Sequence, residues 1–208
     1  MHARHLRHAD YRRMRWKNGG GWTTELAVSP EPGADAFDWR ISIAEIESDG
    51  GFSTFPDCDR YIALLDGLGM RLTFDQAGQG DQDRAYQDQA ELRERLRFVR
   101  FAGEWQTHGQ LVSGPVRDFN VIVRRSAVQA EVWHRPLVGP MVFLAEAGVS
   151  WFVFVAGGSA QIKNRNDGTA LEAGDSLLLT PDGSVENIVL TGGGELVIVK
   201  LVRVGKSA

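Results

Sequence analysis

A glycine-rich segment near the start of the chain combines the groups that a binding site for a small anion would need. It reads Met14-Arg-Trp-Lys-Asn-Gly-Gly-Gly-Trp-Thr-Thr-Glu25. Three successive glycines leave backbone N–H groups unobstructed and permit positive φ. A cation, an amide, hydroxyls and indole rings stand beside them and could hold a carboxylate by charge, hydrogen bonds and stacking. The alternative is that Asn18-Gly19 is only a hairpin turn.

Arginine and serine side chains also occur on strand-like segments. In Trp39-Arg-Ile-Ser-Ile-Ala-Glu-Ile46, alternation puts Arg40 and Ser42 on the face opposite the apolar residues. Arg60 follows the turn Pro56-Asp-Cys-Asp59 and could clamp a carboxylate with its forked guanidinium at the mouth of a barrel. The alternatives are an exposed strand arginine at Arg40 and an ion pair of Arg60 with a turn aspartate.

Aspartate and asparagine alternate with phenylalanine later in the chain, so Asp118 and Asn120 could point into one cavity or could cap a turn. Phe52 and Phe55 could wall a ligand or belong to the core. From these segments we predict a ligand site composed of Trp16, Lys17, Asn18, Gly19, Gly20, Thr23, Glu25, Arg40, Ser42, Phe52, Ser53, Phe55, Arg60, Asp118 and Asn120.

Catalysis would need a proton-transferring group in this set. Glu25 or Asp118 could act as general base, above all if the carboxylate is buried near Lys17. Cys58 lies between two aspartates that oppose thiolate formation. The residues therefore favour binding without turnover, and a hydrolase or isomerase is the alternative.

The composition predicts a globular β-protein. Of 208 residues 43% are hydrophobic and 24 are glycine, against a usual glycine share of about 7%. A net charge of −4 argues against a protein whose main work is binding nucleic-acid phosphates. A single cysteine excludes an internal disulfide. We see no apolar run of signal-peptide or membrane-spanning length, so we expect a cytoplasmic protein.

Short alternating segments separated by glycine turns predict a sandwich or barrel. Only 83–94 has a weakly helical pattern, after a polar surface loop over 75–82, and 164–168 reads as a turn. The predicted strands are Trp39–Ile46, Tyr61–Leu65, Met70–Phe74, Leu96–Phe101, Asn120–Arg125, Val128–His134, Trp151–Val155, Ser176–Leu179, Val185–Leu190 and Glu195–Val204.

The two halves of the chain resemble each other. Leu64-Leu-Asp-Gly-Leu-Gly-Met-Arg-Leu72 and Phe154-Val-Ala-Gly-Gly-Ser-Ala-Gln-Ile162 are both a strand, a glycine turn and a second strand. Such units are typical of cupin jelly rolls. We therefore expect an all-β, cupin-like jelly-roll or bicupin barrel, a single unit over 1–208 with halves 11–125 and 126–208.

Four ordered motifs resemble the HutD/Ves family. They are Trp16-Lys-Asn-Gly-Gly-Gly-Trp-Thr-Thr-Glu25, Trp39-Arg-Ile-Ser-Ile-Ala44, Gly51-Phe-Ser-Thr-Phe-Pro-Asp-Cys-Asp-Arg60 and Gly114-Pro-Val-Arg-Asp-Phe-Asn120. The resemblance implies a bicupin-like fold and a link to bacterial histidine utilisation. It also implies binding or sensing of a pathway metabolite, with urocanate and formylated or formiminated glutamate as candidates. It brings no established catalytic activity.

The metal ligands of ordinary cupins are missing. Those proteins use two histidines in His-x-His, a glutamate and a third histidine, whereas Phe55–Gly67 contains none. His2, His5 and His8 could form a metal patch, but we expect them in a disordered terminus. We predict no metal, no cofactor, no membrane partner and a homodimer as one possible assembly.

The cations and amides concentrate in the N-terminal half. We therefore predict that Lys17 and Arg60 supply the positive end of one pocket there. The second half is mostly apolar strands and glycine turns.

Overall fold

Almost all of the regular structure is β-strand. The computed structural model describes residues 1–30, 36–75, 89–164 and 169–205. A 3-10 helix, His8–Asp10, is the only helical element among these residues, so the all-β expectation is confirmed. In chain order the strands are β1 His2–Leu6, β2 Arg12–Arg15, β3 Gly21–Ser29, β4 Trp39–Ile46, β5 Gly50–Gly51, β6 Cys58–Asp66, β7 Met70–Asp75, β8 Gln89–Leu92, β9 Val99–Ala102, β10 Gln106–Leu111, β11 Val116–Arg124, β12 Val128–Val138, β13 Met141–Phe143, β14 Val149–Ile162, β15 Ala170–Glu172, β16 Ser176–Thr180 and β17 Ile188–Arg203.

The chain divides into two compact units. The N-terminal unit is Arg12–Ser126, and the C-terminal unit combines Met1–Tyr11 with Ala127–Ala208. In neither unit do the described strands close into a barrel, because each sheet ends in unpaired edge strands. Over the described ranges, no helix has the length and apolarity needed to span a membrane.

Two sheets form the N-terminal unit. One has six strands in the order β2-β3-β4-β11-β6-β9, and the other has four in the order β5-β10-β7-β8. Burial of apolar side chains from both sheets in one cluster holds them face to face. This cluster contains Ala44, Ile46, Ile62, Leu64, Met70, Leu72, Phe74, Leu92, Phe101 and Val116.

Central strands of the six-stranded sheet are buried on both faces, which explains their nearly continuous apolar sequences. Polar residues interrupt these strands at Ser42, Arg60, Asp118 and Asn120, and all four are less than one-tenth exposed. Burying a polar or charged group without partners costs free energy. Their position therefore calls for an explanation other than packing.

The C-terminal unit has a seven-stranded sheet with the order β1-β16-β14-β17-β12, to which β13 and β15 add at the sides. Its long β14–β17 ladder depends on glycine. A Cβ on Gly158 would lie 2.0 Å from the carbonyl oxygen of Gly193, and Gly158 has φ +79°. A larger residue would therefore be strained there and would push the two strands apart.

Two expectations about local structure are wrong. The N-terminal histidines are not disordered, because His2–Leu6 pairs with β16 and His5 Nε2 lies 3.0 Å from Asp175 Oδ2. The helical pattern over 83–94 also fails in its described part, since Gln89–Leu92 pairs with β7 as a strand. Tertiary pairing overrides weak local preference in both cases. Residues 76–82 of the predicted surface loop, 83–88 of the predicted helix and 165–168 of the predicted turn lie outside the described residues.

Candidate functional site

A cavity of about 470 Å³ lies within the N-terminal unit. Its floor is the inner face of the six-stranded sheet, and its rim includes the β2–β3 turn and the segment after β5. Most of the sequence-predicted site residues line it: Trp16, Lys17, Asn18, Thr23, Arg40, Ser42, Phe52, Ser53, Phe55, Arg60 and Asn120. The structure thus brings together residues from all four motif segments.

The antiparallel register explains this convergence, because directly paired residues share a face of the sheet. Asn120 of β11 pairs with Ser42 of β4, and Ser42 pairs with Glu25 of β3. In the next row Ile122 pairs with Arg40 on one side and with Arg60 on the other. Polar side chains distant in sequence therefore form two adjacent rows.

Arg60 is the buried cation of this cavity. Only 3% of the residue is exposed, and its guanidinium carbon lies 5.3, 5.5 and 5.1 Å from the ring centroids of Phe52, Phe55 and Phe101. Nη1 donates to the carbonyl oxygen of Ser53 at 3.2 Å, while Nε has no hydrogen-bond partner among the described residues. Burial lowers the pKa of Arg60 to about 10, so it stays charged at neutral pH.

The expected alternative, an ion pair between Arg60 and a turn aspartate, is not formed. Asp59 instead pairs with Arg100 at 2.6 Å and with Arg125 at 2.8 Å. Asp57 accepts a hydrogen bond from Ser126. Arg60 also lies deeper than the expected barrel mouth, because its alternation on β6 points it to the inner face.

Asp118 is the buried acid beneath the cavity. It is fully buried, and neither carboxylate oxygen has a hydrogen-bond partner in the described chain. Burial raises its pKa to about 7, although the charge of Arg60 acts in the opposite direction. Asp118 does not line the cavity itself, but it pairs across the strands with Ala44, which does.

The other predicted acid is neutralised by a neighbour. Arg40 Nε donates to Glu25 Oε2 at 3.1 Å, and both side chains are mostly buried. Glu25 lies outside the cavity lining because it faces Arg40. Lys17 lies exposed at the rim and has no ion-pair partner among the residues described.

The glycine segment forms the turn between β2 and β3, with Gly19 at φ +75°. Gly19 N–H donates to Trp16 O at 3.1 Å, and Gly20 N–H donates to Asn18 Oδ1 at 3.0 Å. Contrary to expectation, these two glycines do not line the cavity. Their N–H groups are used within the turn. Trp16 stays in place through an Nε1–H bond to Thr23 Oγ1 at 2.7 Å.

Sequence reasoning missed several residues of the lining: Met14, Arg15, Ala44, Gly51 and Ile122. A signal for two of them was present. Ala44 and Ile122 follow Ser42 and Asn120 by two positions, so strand alternation puts them on the same face. Met14 pairs with Thr23, a register that only the folded sheet reveals.

Metal chemistry has no evident place in the described ranges. No group of three or more histidine, cysteine, aspartate or glutamate side chains there is arranged to hold a metal ion. Cys58 is buried, and burial raises the pKa of its thiol. The cavity offers cations, amides, hydroxyls and aromatic rings, a set suited to binding a small carboxylate.

Solved structures include neighbours with this fold. HutD from Pseudomonas fluorescens SBW25, solved in a formate condition, has a TM-score of 0.79 and 31% identity over 98% of this chain and 100% of that chain. The bacterial pirin YhhW from Escherichia coli, in complex with nickel(II), has a TM-score of 0.67 at 12% identity, covering 98% of this chain and 100% of that one. The second likeness concerns the cupin-like fold alone, and it confirms that part of the expectation.

Curated relatives agree in sequence. An uncharacterized 21.2 kDa protein in the hutC 3' region of Pseudomonas putida is 39% identical, over 83% of this chain and 88% of its own. Protein Ves of Cronobacter sakazakii is 33% identical, over 72% of this chain and 74% of its own. The family model for HutD matches residues 8–198. The chain therefore belongs to the HutD family, which is linked to the histidine-utilisation locus.

Proposed function

We propose that this protein binds a small anionic metabolite of histidine catabolism in the cavity of the N-terminal unit and thereby modulates histidine utilisation in the cytoplasm. Urocanate and formyl- or formiminoglutamate are the candidate ligands. The single observation that carries the proposal is Arg60, a charged guanidinium at the floor of a cavity whose Nε has no hydrogen-bond partner in the described part of the chain. A carboxylate bound there would offset the cost of burying the charge.

Charge balance in the cavity supports an anion. Arg40 is already paired with Glu25, and Arg15 with Glu47 at 3.0 Å. Arg60 and Lys17 are left as the cations of the lining that lack an ion-pair partner among the described residues. The volume of about 470 Å³ also falls within the range of metabolite sites.

Binding without turnover fits the side chains at hand. The sole cysteine is buried and does not line the cavity, and Glu25 is held by Arg40. One observation favours the alternative, a metal-independent hydrolase or isomerase. The pKa of Asp118 is about 7, near the value that suits a general base at neutral pH. Asp118 lies beneath the lining, however, so a substrate would have to reach it past Ala44 and Asn120.

Calorimetric titration of the purified protein with the candidate acids tests the proposal. We expect at least one of them to bind, and Arg60→Met to weaken it by about tenfold to hundredfold, the range for a charged hydrogen bond. Arg97→Met is the matched control, because Arg97 is an exposed arginine of the same unit that pairs with Glu94. Binding that survives Arg60→Met in a folded protein contradicts the proposal.

The same samples separate binding from catalysis. Each acid is incubated with the protein overnight and analysed by mass spectrometry. Unchanged ligand supports a sensor. A product that forms with wild-type protein and fails to form with Asp118→Asn supports the enzyme alternative.

A further inference from the structure

Buried acceptors without a hydrogen-bond partner among the described residues lie at the floor of the cavity and just beneath it, near the unpartnered donor of Arg60. Asn120 Oδ1 and both carboxylate oxygens of Asp118 are buried, and none has a hydrogen-bond partner among the residues that the structure describes. The two side chains lie two positions apart on β11, so they occupy the same face. Asn120 lines the cavity, and Asp118 lies directly across from Ala44 of the lining.

Packing does not account for these acceptors. Their cross-strand partners Ile62 and Leu64 are apolar and almost fully buried. Apolar residues of similar size would fit the same positions and avoid the free-energy cost of unpaired acceptors. Buried polar groups in native proteins nearly always have a partner, which here must come from outside the described chain.

Arg60 does not meet this need. Its Nη1 donates to Ser53 and its Nε is unpartnered, although Arg60 and Asp118 interact through their charges. The Arg60 donor and the acceptors of Asn120 and Asp118 thus lie near one another without a hydrogen bond between them. A ligand that joins them must present an acceptor toward Arg60 and a donor toward β11.

We propose that the ligand of this site carries an N–H donor in addition to its carboxylate, with the carboxylate bound by Arg60 and the N–H accepted by Asn120 and, through one floor water, by Asp118. This inference rests on the proposed function and narrows the ligand class to carboxylates with an amide, amidine or imidazole N–H. An N–H group offers only a donor, which matches a floor lined by acceptors.

Matched acids that differ in the donor test this inference. One pair is urocanate and 3-(furan-3-yl)acrylate, which has the same planar acid without an N–H. The other pair is N-formylglutamate and the analogue in which CH2 replaces the N–H. With wild-type protein we expect the N–H member of the pair that binds to be favoured about tenfold or more.

Variants on β11 then test which residues cause the preference for the acid with an N–H group. Asp118→Leu with Asn120→Leu removes the acceptors and keeps apolar bulk, so both acids of a pair should bind within about threefold of each other. Arg117→Leu, at an exposed position of the same strand, is the control and should retain the preference. Thermal unfolding establishes that each variant is folded.

The possible failures are distinct. If wild-type protein binds both members of a pair equally, the N–H inference is overturned while anion binding stands. The N–H inference is also overturned, while anion binding stands, if the double leucine variant keeps the full preference for the N–H member of a pair. If none of the four acids binds, the proposed function is overturned and this inference with it.

Discussion

Arg40 and Arg60 lie in one row across the six-stranded sheet, each paired with Ile122 from opposite sides. The spacing of neighbouring strands puts their backbones about 10 Å apart. Within the described part of the chain, only Arg40 of the two is hydrogen-bonded to an acid, through its Nε to Glu25 Oε2 at 3.1 Å. Two arginines of one row thus differ in role: one is neutralised within the fold, and the other is available to an incoming anion.

Lys17 and Arg60 should contribute unequally to anion binding. Lys17→Met should weaken binding by less than about fivefold at 0.15 M salt, because an exposed ammonium is well solvated and screened. The loss should grow as salt is lowered. Calorimetry at two salt concentrations measures both effects, and unchanged affinity at low salt would remove Lys17 from the site.

Anion affinity should fall as pH rises through about 7. Burial raises the pKa of Asp118 to about 7, so the acid is neutral below that pH and negative above it. The negative form of Asp118 repels the anion and competes with it for Arg60. We expect the affinity for the anion to fall by on the order of tenfold. The other charged groups of the cavity are Arg40 and Glu25, which pair with each other, Arg15, which pairs with Glu47, and Lys17 at the rim.

A probe without a group that titrates between pH 6 and 8.5 isolates this effect. We suggest 3-(furan-3-yl)acrylate, whose carboxylate stays ionised throughout. Asp118→Asn should flatten the profile, whereas Asp66→Asn, an exposed aspartate on the next strand, should not. A pH profile that Asp118→Asn leaves unchanged would exclude Asp118 as its source.

Asp118→Asn should stabilise the fold at neutral pH. The folded protein holds the Asp118 proton up to a pKa of about 7, whereas an unfolded aspartate loses it near about 3.9. Asp118 therefore lowers the free energy of unfolding progressively as pH rises from about 4 to about 7, by up to about 4 kcal/mol. Urea unfolding of the wild-type protein and Asp118→Asn should reveal a larger free energy of unfolding for the variant at pH 7.5. The difference between the two proteins should shrink at pH 4.5.

Gly158 and Gly193, two glycines of the β14–β17 ladder, should differ sharply in how much substitution by alanine destabilises the protein. Gly158→Ala should destabilise the protein by about 3 kcal/mol, since its Cβ would clash with the Gly193 carbonyl at positive φ. Gly193→Ala should change stability by less than about 0.5 kcal/mol, because nothing lies within 4 Å of its Cβ. Equal effects in thermal or urea unfolding would contradict this assignment.

Local pattern was enough to predict β4 and parts of β6 and β11, but it did not predict β2 or β3, which also line the cavity. The alternation in Trp39–Ile46 matches β4, and the hairpin between β6 and β7 has Gly67 and Gly69 at φ +103° and +118°. Such features depend on nearby residues alone. The depth of Arg60 and the pairing of Glu25 with Arg40 depend on how distant strands align, so residue types and spacing could not reveal them.

The same limit explains why β1, one of the missed strands, was not predicted. Residues 2–6 are polar and rich in histidine, which predicts a frayed end. Their order comes from β16, whose residues lie 170 to 178 positions further along the sequence than their partners in β1. A single sequence carries no local sign of that partner.

The pairing of β1 with β16 has a consequence for synthesis. Arg12–Ser126 is continuous, so the N-terminal unit can fold as soon as it has left the ribosome. β1 is made before this unit but must wait until Ser176–Thr180 has been made before its partner strand exists. During translation its backbone N–H and C=O groups can be satisfied only by water or by a chaperone, so a strand made before the N-terminal unit reaches its native place after that unit.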